Sequence, residues 1–170
     1  MNILLRFVQY LAKKVIVLAI IVCLAVLATL IAYDCANIYI GVTEGMTLRA
    51  TSILEGQENV VLQKFFTQAY LKADPLMNNN VYNDFIIQDY NIKMRVKWLW
   101  AWPWEERVKA VIEESIPKIV GKPRDDEQPV KTPPSWQNGE KIVLLEKQDG
   151  HWKIAGIIFK SSLDRSDTQE

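Results

Sequence analysis

IKMRVKWLWAWPW, residues 92–104, places an apolar side chain at every second position: Ile92, Met94, Val96, Trp98, Trp100, Trp102 and Trp104. Between them stand Lys93, Arg95, Lys97, Leu99, Ala101 and Pro103. Successive side chains of a strand point to opposite faces, so an unbroken period of two predicts a strand with one buried face. Tryptophan itself favours strands. The four indoles are then the heavy end of one long face, which predicts Trp98 and Trp100 as core. Trp102 and Trp104 flank Pro103, where the strand must turn. In one reading they line, with Trp136, a pocket mouth or partner-binding surface that stacks on a sugar ring or a cationic ligand. In another they form a membrane-interface belt, which requires the strand end to fold back onto a bilayer.

Upstream, Phe85, Ile86, Ile87 and Tyr90 predict a first strand over about 82–90. Downstream, EERVKAVIEESIPKIV (105–120) has two readings. Val108, Val111, Ile112, Ile116, Ile119 and Val120 fit a helical stripe. Pro117 opposes a helix there, and a strand joined to 92–102 through PWEE makes a hairpin. Residues 121–139 form a long loop punctuated by Pro123, Pro129, Pro133 and Pro134, with Trp136 anchoring it to the domain. EKIVLLEKQDGHWKIAGIIFK (140–160) reads as strand, Asp149-Gly150 turn, strand. The polar run 161–170 is a flexible tail.

Toward the N-terminus, residues 15–33 read VIVLAIIVCLAVLATLIAY, without a charge. As a helix they span roughly 28 Å at about 1.5 Å per residue, close to the hydrocarbon thickness of a bilayer. The run is longer than the apolar part of a signal peptide and ends in Tyr33-Asp34-Cys35, a poor cleavage site, so an uncleaved transmembrane helix is expected. Arg6, Lys13 and Lys14 precede it, and Asp34 and Glu44 follow. The positive-inside rule then puts residues 1–14, a basic lead-in, in the cytoplasm and the rest of the chain outside the cytoplasmic membrane. Residues 34–46 are read as a juxtamembrane segment that Gly41 and Gly45 make a flexible joint, unless the helix continues through it. A domain over 47–160 opens with apolar residues at helical spacing from Ile53 to Tyr70, bent or broken at Gly56 and ended by Asp74-Pro75.

The fold class is therefore α+β: a single N-terminal transmembrane helix, then N-terminal helices packed on an antiparallel sheet. The closing segment EKQDGHWKIAGI (146–157), with glycine, Trp152, Lys153 and Ile154 after the turn, resembles the end of a nuclear transport factor 2-like domain. The resemblance covers about residues 47–160. It implies a cone-shaped domain with helices in the concave face of a curved sheet. Single-pass members with an external domain resemble the scaffolding subunit of type IV secretion and conjugation machines. What it implies is a non-catalytic assembly or accessory subunit of an envelope complex. The alternative is a small-molecule-binding or enzymatic cone with a tryptophan-lined pocket.

No catalytic residue is carried over, since no position here matches an enzyme motif of that superfamily. His151 is the single histidine and lacks a sequence partner for acid–base work. One histidine and two cysteines, one of them within the span, do not make a zinc site. Glu105-Glu106 and Glu113-Glu114 are adjacent pairs that a strand splits between its faces, and Asp125-Asp126-Glu127 lacks the spacing of a calcium loop. No phosphate loop or dinucleotide fingerprint is present, so no cofactor and no metal is expected. The 20 basic and 20 acidic side chains leave the exported part with a small acidic excess and no basic stripe, which disfavours nucleic acid. The expected partners are the bilayer, through residues 15–33, and a second copy or a larger membrane complex, with Cys35 available for an intermolecular disulfide.

Overall fold

The computed structural model describes residues 2–56, 60–79, 81–125 and 132–162. Helix α1 runs unbroken over Asn2–Glu55. Its most hydrophobic window is long and apolar enough to cross a membrane, and none of that window is buried. From Asp34 the same helix acquires an inward stripe. Asp34, Ile38, Val42, Met46, Arg49 and Ile53 recur at three- and four-residue steps and are all buried. Residues 34–46 are thus neither a loose joint nor outside the domain. They are helix, and their inner face is core. The two glycines that argued for a joint sit inside the helix, and Gly45 is there for space: a Cβ on it would lie 2.8 Å from Phe65 Cβ. The helix ends where Gly56 takes φ +64°, a left-handed value that favours glycine.

Three short helices follow: α2 (Leu62–Phe65), α3 (Gln68–Ala73) and α4 (Pro75–Asn78). Thr67 caps α3 by accepting from Tyr70 N–H at 3.2 Å, and Asp74 caps α4 by accepting from Leu76 N–H at 3.1 Å. Pro75 takes the first helical position, where its missing N–H costs nothing.

The strands are β1 (Phe85–Tyr90), β2 (Lys93–Leu99), β3 (Arg107–Ser115), β4 (Ile119–Pro123), β5 (Gly139–Gln148) and β6 (His151–Ser162). All pair antiparallel, in a four-stranded sheet of order β2-β3-β5-β6 and a β1-β4 ribbon. Residues 107–115 are strand and form the hairpin with β2, as the strand reading expects, whereas 119 and 120 open a separate strand in the β1-β4 ribbon. Pro117 falls between β3 and β4, where no ladder hydrogen bond is lost. Asp149 (φ 51°) and Gly150 (φ 79°) make the tight β5–β6 turn, both in the left-handed region that a two-residue hairpin of this hand requires. Strand β6 reaches Ser162, so residues 161 and 162 belong to the sheet. The rest of the expected tail lies outside the described residues.

Two cores result. The larger lies between α1 and the four-stranded sheet, around Ile38, Val42, Met46, Phe66, Ile112 and Ile154. The smaller lies under the β1-β4 ribbon, where Ala50, Ile53 and Leu54 at the end of α1 meet Tyr82, Ile116 and Trp136. Two buried ion pairs accompany them. Arg49 meets Asp74, and Lys141 Nζ meets the Glu114 carboxylate while lying 5.6 Å from the centre of the Trp136 ring.

Candidate functional site

The expectation that Trp98 and Trp100 are core is corrected. In β2 the pairing with β3 slips between Val96 and Trp98. Val96 faces Ile112, Trp98 faces Val111, and Lys97 is the extra residue of a β-bulge. Lys97 and Trp98 therefore both point outward, and the alternation changes phase. Beyond the bulge Leu99 and Ala101 pack inward, Ala101 without any exposed surface, while Trp98 and Trp100 are 54 % and 45 % exposed. The inward position beyond the bulge pairs with Ala110, which has no exposed surface, and in a close-packed interior the smaller Leu99 occupies it in place of an indole. On the outer face Lys97 reaches Glu113 at 2.8 Å and Glu140 at 3.4 Å. These two carboxylates raise the Lys97 pKa, with Glu113 contributing most.

Trp100, Trp102 and Trp104 form a surface cluster. Trp100 meets Trp102 edge to face at 5.4 Å, and Trp102 stacks on Trp104 at 5.1 Å with the planes 12° apart. Trp104 is 67 % exposed. A tight turn fixes them: Glu105 N–H donates to Trp102 O at 3.0 Å, and the Glu105 carboxylate accepts from Trp102 N–H at 2.9 Å. Trp136 does not join this group. It is buried in the smaller core, 6.0 Å from the Tyr82 ring, where it ties the proline-rich loop to the domain as expected.

A second feature stands beside the cluster. Asp34, the residue after the apolar span, accepts from Trp152 Nε1–H at 3.3 Å and pairs with Lys147 Nζ at 3.6 Å. Lys147 Nζ also lies 5.1 Å from the Trp152 ring centre. The Lys147 backbone N–H donates to Glu106 O at 2.8 Å, in the connection that carries the tryptophans. One residue thus links the helix exit, the β5–β6 turn and the β2–β3 connection. Between α1 and that turn lies an open cleft of about 630 Å³. Asn37, Gly41 and Glu44 form its helix side, and Lys64, His151 and Lys153 stand opposite. Its cations and its aromatic ring suit an anionic or aromatic group.

Cys35 packs against the larger core as a half-buried free thiol, and Cys23 lies on the exposed span. Among the described residues no group of three or more His, Cys, Asp or Glu is placed to hold a metal ion. Asp126 and Glu127 lie outside them. Sequence reasoning missed the Asp34–Lys147–Trp152 junction because Asp34 lies more than a hundred positions from the other two. The only local signal was an acidic residue directly after an apolar span. No protein-family model, curated protein or solved structure matches the chain.

Proposed function

We propose that the protein is a single-pass membrane protein whose domain, outside the cytoplasmic membrane, serves as an assembly or scaffold module of an envelope complex. The observation that carries this reading is the unbroken α1. Its first part is apolar on every side, and its second part is the central core element of the domain. A helix shared in this way holds the domain at one height and orientation above the bilayer. Such a platform favours assembly, because tethering raises the effective concentration of partners in the same membrane. The basic side chains before the span and the acidic ones after it support an inside N-terminus. Helices packed on one face of a bulged antiparallel sheet agree with a cone of the nuclear transport factor 2-like kind, and secretion or conjugation is the process that resemblance suggests. Cross-linking in membranes, with mass measurement after detergent extraction, tests the role. A homo-oligomer or a co-purifying membrane protein is expected, and a strict monomer that retains nothing overturns it.

The cleft favours a second reading, a binding cone for a small anionic or aromatic molecule. Its own tryptophan is Trp152, not Trp102 or Trp104. Quenching of Trp152 emission by a metabolite, absent in Trp152→Phe, is the result that would move the assignment there.

A further inference from the structure

We infer that the Trp100–Trp104 turn is an interfacial anchor, seated in the headgroup region of the bilayer that α1 crosses. The inference rests on the proposal that α1 is a membrane span. Three observations carry it.

The first is position. The hydroxyl of Tyr90, just before β2, donates to Glu55 at the domain end of α1, at 2.8 Å. Glu55 lies 21 residues, about 31 Å of helix, beyond Asp34. Strand β2 then runs back toward Asp34 for seven residues, about 23 Å. The turn it enters is joined to Lys147 through the Glu106 carbonyl, and Lys147 pairs with Asp34. The strand end thus folds back to the level at which the helix leaves its apolar span.

The second is exposure. Trp100, Trp102 and Trp104 form one aromatic cluster whose outer members are 45 % and 67 % exposed, with Trp98 exposed beside it on the strand, a surface that soluble domains rarely leave open to water. Tyr33, the last residue of the span, is 67 % exposed at the same level. Indole and phenol rings prefer this depth, where the ring is shielded and the polar edge stays wet. Arg107 and Lys109, exposed on the strand leaving the turn, can reach lipid phosphates.

The third is ring geometry. Trp102 and Trp104 cover each other's faces, so no flat ligand can slip between them as it would in an aromatic clamp. The cluster offers edges and one outer face, which suits a disordered lipid surface better than a sugar ring. With the span and the turn both in the bilayer, the domain has two points of attachment and cannot rotate freely about α1.

The test uses the full chain in phosphatidylcholine nanodiscs, with and without lipids brominated high on the acyl chain. Bromolipid is expected to quench tryptophan emission, and the variant W100F/W102F/W104F should lose most of that quenching. The single variant W104F, at the most exposed position, should lose part of it and covers the case in which the triple variant misfolds. Equal quenching in wild type and both variants overturns the inference. So does an unquenched wild type whose indoles stay open to acrylamide, which would leave the patch to a protein partner. Alkaline extraction of native membranes separates the two proposals. A chain released by carbonate fails as a membrane protein, whereas one that resists carbonate yet shows no bromolipid quenching fails only as an interfacial anchor.

Discussion

Arg49 and Asp74 meet side on: Nε lies 2.6 Å from Oδ2 and Nη2 lies 2.9 Å from Oδ1, with both side chains almost fully buried. Burial alone lowers the arginine pKa, but the hydrogen bond to Asp74 and nearby negative groups outweigh it and the net shift is upward. The pair ties α1 to the short helices, and Asp74 also caps α4. Asp74→Ala leaves a buried guanidinium without its partner, and is expected to destabilise the domain by about 3–5 kcal/mol. Denaturant melts of the detergent-solubilised protein measure this. A loss below about 1 kcal/mol, the range of an exposed pair, would show that the pair is solvated.

Tyr70, stacked on Phe66 at 5.4 Å, adds a pH dependence. Burial pushes its pKa from 10.0 up to about 12, with Arg49 opposing and Asp74 reinforcing the shift. A folded-state pKa above the unfolded value stabilises the fold fully below pH 10.0, and that contribution disappears as pH rises through about 12. Melting temperatures of the wild type should fall over that window, and Tyr70→Phe should flatten part of the fall. Parallel curves for the two proteins would contradict the assignment.

Gly41 and Gly45 lie one helical turn apart and should respond in opposite directions. A Cβ at Gly41 meets nothing within 4 Å. Gly41→Ala should then stabilise the protein by up to about 1 kcal/mol through helix propensity. At Gly45 the side chain runs into Phe65 and Ile154, so Gly45→Leu should cost about 1–3 kcal/mol or more by overpacking. Thermal melts of both variants decide the point, and equal responses would mean that α2 is not packed on α1.

Removing the bulge residue gives a less obvious outcome. Because Trp98 already pairs with Val111 and Leu99 with Ala110, deleting Lys97 leaves every other partner in place and makes the ladder regular. Its ion pairs are on the surface and contribute little. The deletion should fold and lose no more than about 1 kcal/mol. Near-ultraviolet circular dichroism with a melt would detect the alternative, a rearranged core.

The tryptophans should divide by burial. Trp136→Ala is expected to cost about 3–5 kcal/mol, as for a large core side chain. Trp98→Ala, on the outer face, should stay within about 0.5 kcal/mol in detergent. Comparable losses at both positions would return Trp98 to the core.

Element type was legible wherever a local period is strong. The uncharged run 15–33, the Asp149-Gly150 turn and the Asp74-Pro75 stop are each present as expected, and the period of two from Ile92 gives a strand that ends at Leu99 rather than Trp104. Which way a side chain faces was not legible in the same manner. Through Trp104 the residues keep one alternation. The sheet does not, because a strand's phase is set by the partner strand and by the volume beneath it. A single bulge at Lys97 moves Leu99 and Ala101 in, Leu99 opposite the fully buried Ala110, and the tryptophans out. Gly41 and Gly45 misled for a related reason, since their low helix propensity is outweighed by packing that no local window contains. By itself, then, the sequence determined the elements and the apolar span. Only the tertiary structure decided that span and domain share one helix and that the tryptophans lie outside, because both depend on contacts between residues far apart in the chain.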